Sequence, residues 1–443
     1  MSKLLKLGIL LLISLTVLAG CGGSGGSGGE QTGGSNDNGG SEGEVTELTF
    51  WTFVGLHIEF FEEGVRSWNE TYPDRQIKLN AESFPYDEMH NNLLLALQSG
   101  VGAPDIVDIE INRFPNFLQG DIQLEPLNDI IEPVAEDFVQ SRFEIYSKDG
   151  QFYGAPTHVG ASVAFYNTEI FNAAGVSPDD IDTWDDFVEI GKVIKAETDT
   201  PMTVAYTSGF WNFYPMISQR GSDIFDSNGD VILDNQDNIE VLQLIHDMVY
   251  EHEISVLAPG GNHNNEEFFA FMNGGGAASL IMPSWYASRF VEHMPDQSGN
   301  FVMKPMPRWE EGGFRSAGMG GTGTAVTKQS EHIELAKEFL AHAKLTEEAN
   351  INIWKILGFD PPMHTVWESP ELREPNRFTE YFGDGLFDML LEIKDEINPL
   401  NITNNTPLAR DLIETNVLHN TLRERSQTPE EALKQAADEL RNR

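Results

Sequence analysis

The chain has 443 residues with 28 basic and 70 acidic side chains, a formal net charge of −42. Such a surface repels nucleic acid and anionic lipid, and the length exceeds one ordinary core and suits two lobes of roughly 150–200 residues each. The charge reads as a solvated acidic shell, which keeps a protein soluble in brine and repels itself in dilute buffer.

Residues 1–20 have the layout of a secretory signal: Lys3 and Lys6, then an apolar run from Leu7 to Ala19 that is too short for an ordinary membrane span. Leu18-Ala19-Gly20-Cys21 resembles a bacterial lipobox, and Cys21 is the single cysteine, so no intramolecular disulfide can form. Cys21 is therefore the expected lipidation site. Residues 21–44 are rich in Gly and Ser, without apolar periodicity, and are expected to form a tether. As a coil it would reach roughly 25–30 Å.

From residue 45 onward strands and helices alternate. Leu48 to Phe53 alternates bulky residues with Thr, a strand signal. A helix is expected over Phe60 to Trp68 and a second strand over Ile77 to Leu79. Tyr86 to Gln98 carries Met89, Leu93, Leu94 and Leu97 at helical spacing, and Pro104 to Ile109 is a third strand. The order predicts an α/β fold with a largely parallel sheet. QFYGAP and ASVAFYN are two closely spaced strands with a lobe crossover between them, near Ala155 to His158. Thr183 to Asp186 is a capping box that opens a helix with Phe187, Ile190 and Ile194 inward. Asn238 to His252 is another helix, and Asp223 to Asp230 suits a polar hairpin better than a calcium loop, because it lacks the terminal Glu.

FFAFMNGGGAASLIMPSWYASR, from Phe268 to Arg289, predicts a helix stopped by glycine, a buried strand, and a turn presenting Trp285 and Tyr286. Ligands of open α/β sheets bind at such carboxyl ends of strands. Ser330 is placed as the cap of a helix with Ile333, Ala336, Leu340 and Ala343 inward, and Thr428 to Glu431 as the capping box of the last helix. Trp354, on an apolar helix, is expected in the core.

The order of LTFWTF, PDIVDIE, GQFYGAP, FYNTEIFNAAGV, TWDDF, MNGGGAASLIMPSW, AKEFLAHA and TPEEALKQAADEL resembles the extracellular solute-binding lipoproteins of bacterial ABC sugar importers, family 1 type. FPYDEMHNNLLLALQSG, APTHVGASVAFYN and APGGNHNNEEFFAFMN are similar to the arabinose-oligosaccharide binders within it. The resemblance implies a two-lobed periplasmic-binding-protein-like fold of type II, with sugar in the cleft between hinge-linked lobes. It implies an oligosaccharide ligand, arabino-oligosaccharides first, and hand-off to permease subunits with a separate ATPase. It also implies a monomer held on the extracellular face of the cytoplasmic membrane, and binding rather than catalysis. No G-x-x-x-x-G-K-[ST] and no H-E-x-x-H occur in the chain, and no cofactor or metal is expected. The expected divisions are 45–155 and 309–362 for the first lobe, and 156–308 and 363–443 for the second.

A cleft for sugar needs aromatic platforms and a few fixed polar groups. The candidates follow strands or sit at crossovers: Trp51, Phe53 and His57 with the first strand, Glu82 with the second, and Glu110, Asn112 and Arg113 with the third. The resemblance projects that third loop into the cleft. His158 lies at the crossover, Trp211 in an aromatic loop, and Trp285 and Tyr286 after the buried strand of the Phe268 to Arg289 stretch. Gly320 and Gly321 are candidates for close backbone approach to sugar. A secreted glycoside hydrolase, with its paired carboxylates, is the competing enzyme class.

Overall fold

A computed structural model describes residues 45–398 and 400–442. Cys21, the signal and the tether lie outside the described residues.

Two sheets organise residues 45–442. The first has the strand order Ile77–Ser83, Thr46–Thr52, Ile106–Glu110, Thr322–Val326, Ala155–Pro156. Its first three strands run parallel, with Phe50 opposite Ile106, and Thr322–Val326 returns antiparallel between its two neighbours. All five residues of Ile106–Glu110 are buried, as expected of a central strand covered on both faces. The helix Gly55–Thr71 covers one face with Phe60, Phe61 and Trp68, and Tyr86–Ser99 covers the other with Met89, Leu93 and Leu97.

The second sheet corrects the expectation of mostly parallel pairing. Ser162–Asn167 lies antiparallel between Ser279–Pro283 and Phe301–Lys304, and only the short pair Thr203–Ala205 and Ser255–Leu257 is parallel. Alternation of helix and strand along a sequence does not record the direction in which a later strand enters a sheet.

Local signals hold well elsewhere. Thr183 accepts from the Asp186 N–H at 3.1 Å while the Asp186 carboxylate accepts from the Thr183 N–H at 2.9 Å, opening the helix Trp184–Thr198. Thr428 and Glu431 cap Pro429–Arg441 in the same way, and Ala432, Leu433, Ala436 and Leu440 are buried. Trp354 is 1% exposed, a core residue. Phe225 bridges Val231 across a hairpin whose turn is tied by the Asp226 carboxylate. The helix Ile333–Lys344 starts after His332, two residues later than a Ser330 cap would place it; the Ser330 hydroxyl accepts from the His332 N–H at 3.0 Å and donates to Asp105 at 2.5 Å.

The helix Glu266–Asn273 stops at the glycines, with Gly275 at φ +73, a conformation that costs glycine little. The buried strand Ser279–Pro283 follows, then the tight turn Ser284–Tyr286.

Three chain passes join the two sheets side by side. The pass between Pro156 and Ser162 bonds to the one before Thr322, through Thr157 N–H to Thr322 O at 3.0 Å and Met319 N–H to Gly160 O at 2.8 Å. The third carries Asp360, whose buried carboxylate accepts from the Gly160 N–H at 2.9 Å and the Ala161 N–H at 2.8 Å. Burial pushes this carboxyl up, opposed by those N–H bonds. Asp360 thus clasps the hinge. No helix among the described residues is long and apolar enough to cross a membrane.

Candidate functional site

The central strand Ile106–Glu110 delivers Glu110 to the end of the first sheet, where it is 5% exposed. Its carboxylate accepts from the Tyr86 hydroxyl at 2.7 Å, the Asn112 N–H at 2.9 Å and the Asn112 amide at 2.7 Å. Its backbone N–H donates to His90 Nε2 at 3.0 Å, and His90 Nδ1 bonds the Tyr86 carbonyl at 2.7 Å. That pair of bonds fixes His90 as a neutral imidazole. Burial then holds its pKa down at about 4.

Arg410, from the helix Thr406–Leu412, reaches this group from the other lobe. Its guanidinium donates to the Tyr86 hydroxyl, lies 3.7 Å from Glu110, and pairs with Glu414 at 3.0 Å. It also sits over two rings, Tyr86 at 4.9 Å and Phe210 at 5.6 Å. Burial alone would lower its pKa, but Tyr86, Glu414 and Glu110 outweigh that and raise it. Arg113 joins from the first lobe, 5.6 Å above Tyr86 and bonded to Asp87 at 2.8 Å.

Beyond Phe210 the wall continues through rings. Phe210 meets Trp211 at 5.7 Å, Trp211 meets Trp285 edge-on at 5.3 Å, and His263 lies 4.9 Å from Trp211. Trp285 is partly buried and ends the arc at the hinge. A Cβ on Gly320, at φ +77, would come 2.7 Å from its Nε1. The arc therefore runs Tyr86, Arg410, Phe210, Trp211, Trp285, Gly320, with both lobes contributing.

Of the sequence candidates, Glu110, Asn112, Arg113, Trp211, Trp285 and Gly320 come together in this arc. Phe53 supports it from behind, 5.4 Å from Tyr86 and 5.1 Å from His90. Tyr286 is fully buried with its hydroxyl donating to the His263 carbonyl at 2.6 Å, so it braces the wall and offers no face. His57 follows the first strand, in the first turn of the helix Gly55–Thr71, but it is 2% exposed, with Nδ1 bonded to Asp108 at 2.7 Å. Burial pushes the Asp108 carboxyl up, but His57, Lys344 and the Thr324 hydroxyl together hold it below its ordinary value.

His158 is buried at the hinge against Phe359 at 5.0 Å, with neither ring nitrogen hydrogen-bonded. Trp51 is half-buried against Phe84 at 5.2 Å, and Glu82, its partner in register on the edge strand, is exposed and stands apart from the arc. Gly320 and Gly321 give way to the chain's own side chains. Gly320 O accepts from Arg142 at 2.9 Å, and a Cβ on Gly321 would strike Arg142 and the Tyr146 hydroxyl.

Sequence reasoning missed Tyr86, Phe210, His263, Arg410 and the braces Arg142 and Asp360. Phe210 stands beside Trp211 in the same aromatic loop, which was signal enough to include it. Arg410 is 324 residues from Tyr86, beyond any local pattern.

Aromatic faces, a guanidinium and a fixed carboxylate at one seam suit a ligand with C–H faces and a rim of hydroxyls. Residues 55–350 match the family described as bacterial extracellular solute-binding protein. The chain is 55% identical over 396 residues to an arabinooligosaccharide-binding protein of Halalkalibacterium halodurans, covering 89% of each. It is 48% identical over 438 residues to one of Bacillus subtilis, covering 98% of each. Among solved structures, T. maritima MalE3 with maltose superposes at a TM-score of 0.73 with 21% identity, covering 90% of this chain and 99% of that one. A binding protein of B. animalis subsp. lactis in complex with β-1,6-galactobiose gives 0.75 with 21% identity, covering 90% and 97%. Both solved structures share the two-lobed fold. The chain belongs to the bacterial extracellular solute-binding proteins, a family defined by binding and not by catalysis.

Proposed function

We propose that this protein captures arabino-oligosaccharides at the seam between its lobes and delivers them to a membrane permease for import by an ABC transporter. One observation carries the sugar reading. Arg410, on the second lobe, touches both Tyr86 of the first lobe and Phe210 of its own, beside Glu110. A ligand seated there would be gripped from both sides. The arabinose specificity rests on the two relatives named above, whose identity extends over nearly the whole chain.

The mechanism is a population shift. A ligand that contacts both lobes favours the closed arrangement by its differential affinity, and the permease recognises that shape. Cys21 would carry the lipid that holds the protein at the outer face of the cell membrane. One acyl chain binds a membrane only marginally, so stable anchoring needs more than one.

The test is a thermal-shift and calorimetric series with arabinose, xylose and maltose oligomers. Arabinose oligomers should raise the melting temperature most and bind at micromolar or tighter Kd, about −8 kcal/mol or stronger. Absence of any shift with every arabinose oligomer refutes the assignment.

A further inference from the structure

A cavity of about 690 Å³ lies between the walls 141–148 and 387–404, and none of Tyr86, Glu110, Trp211, Trp285 or Arg410 lines it. Alternate glycines of the middle hinge pass place it across the hinge from the aromatic arc. A Cβ on Gly320 would meet Trp285, whereas a Cβ on Gly318 would meet Ile397, Asn398 and Leu400 of the cavity wall at 3.2 to 3.7 Å.

Each wall belongs to a different lobe. The 141–148 wall is held to the first lobe by Lys148 donating to the Leu118 carbonyl. The 387–404 wall is held to the second by Asn398 donating to Ser218 O at 2.6 Å and Asn401 to Phe225 O at 3.1 Å. Val159, Ala161 and Asp360 of the hinge floor the space.

We propose that this cavity is a second carbohydrate site, which takes a short neutral oligosaccharide and couples to the cleft. Its charges are out of character for a chain of net charge −42: Arg142, Lys148 and Lys394 balance Glu144, Asp226 and Asp360. A lining without net charge selects neither anion nor cation. Arg142 is 4% exposed and its Nε has no hydrogen-bond partner, while Asp360 is 7% exposed. A hydroxyl can accept from the first and donate to the second. Trp367 and Phe387 supply ring surface, and the asparagine amides of the 387–404 wall supply further donors and acceptors. The volume falls within the roughly 300–1,000 Å³ of small-molecule sites.

An occupant spanning both walls favours the lobe arrangement that leaves this space between them. Whatever change it makes in the affinity of the cleft is returned by the same factor.

The proposal rests on the sugar-binding reading, and the experiment separates the two. Calorimetry of the protein with arabinotriose, carried to millimolar concentration, should show two sites per chain. Leu391→Trp and Ser147→Trp fill the cavity from opposite walls, and each should abolish one site and leave the other. Trp285→Ala should weaken the cleft site and leave the cavity site. Melting curves establish that each variant is folded, and either cavity variant alone suffices. A single wild-type site, weakened in Trp285→Ala, overturns the cavity site and leaves the cleft standing. Two sites that both survive in the folded tryptophan variants also overturn it. No binding at all overturns the sugar reading and the second site together.

Discussion

Replacing Trp285 with alanine separates a sugar platform from a core residue. The indole is partly buried, with edge contacts to Trp211 at 5.3 Å, Tyr286 at 5.9 Å and His263 at 6.1 Å. Such ring pairs contribute about 0.5–1.5 kcal/mol each beyond area burial, so losing all three pair terms costs the fold roughly 1.5–4.5 kcal/mol. A domain of ordinary stability, about 5–15 kcal/mol, survives that loss. Truncating an aromatic hot spot costs about 1–3 kcal/mol of binding, a Kd roughly 5- to 150-fold weaker. Calorimetry with arabinotriose and urea unfolding should be run on the same preparation. Trp285→Phe, which keeps a ring, should recover part of the affinity. An unchanged Kd in a folded Trp285→Ala refutes the platform role. Loss of the cooperative unfolding transition shows instead that the ring belongs to the core.

Gly320→Ala should weaken arabinotriose binding and lower the melting temperature. The left-handed backbone alone costs about 1–2 kcal/mol with a side chain, and the new Cβ displaces Trp285; unchanged binding would detach Gly320 from the platform. Stability should fall on acidification from pH 6.5, before ordinary carboxylates titrate. His158 is held well below its ordinary pKa by burial and by Arg142, His57 and Lys344, His90 is at about 4, and burial with Arg289 and Arg410 puts His263 at about 3. The unfolded chain therefore binds more protons between those values and 6.5, and stability is lost as pH falls through that window. Three such groups give a slope of about 4 kcal/mol per pH unit near pH 5, opposed by the buried carboxyls of Asp223, pushed up to about 6, and of Asp360 and Glu414, which hold protons in the folded chain; the net slope in urea unfolding should stay positive, and a flat profile there would refute it. Added salt should raise the melting temperature of this chain of net charge −42, because screening relieves self-repulsion. A melting temperature independent of salt would mean that the acidic shell does not strain the fold.

The features legible in the sequence were those whose signals are local. Thr183 and Thr428 cap their helices because hydroxyl and carboxylate sit three residues apart, a spacing any reader of the chain can see. Where the local signal is missing, prediction slips. The helix carrying His57 starts at Gly55 after Val54, which makes no side-chain cap, so its first turn passes for a loop. Ser330 carries a cap signal, but the helix begins two residues later, and its hydroxyl is shared between the His332 N–H and Asp105, a tertiary partner 225 residues away.

The site itself was legible only by halves, because its residues are selected by strand order and by the opposing lobe. Glu82 and Glu110 look alike in the sequence, each an acid at the end of a parallel strand. The first belongs to the edge strand and the second to the centre of the sheet, two strands away, and at about 4.8 Å per strand that is roughly 10 Å. Only the central one meets Arg410. Arg410 in turn acquires its place from the packing of Thr406–Leu412 against the 3-10 turn Phe114–Phe117 of the first lobe. Glu110 is already held by three hydrogen bonds within its own lobe, so Arg410 is not needed to satisfy it. What Arg410 adds is the second lobe's grip on the same spot, and that grip depends on how the lobes are set, which is the variable a ligand in the seam controls.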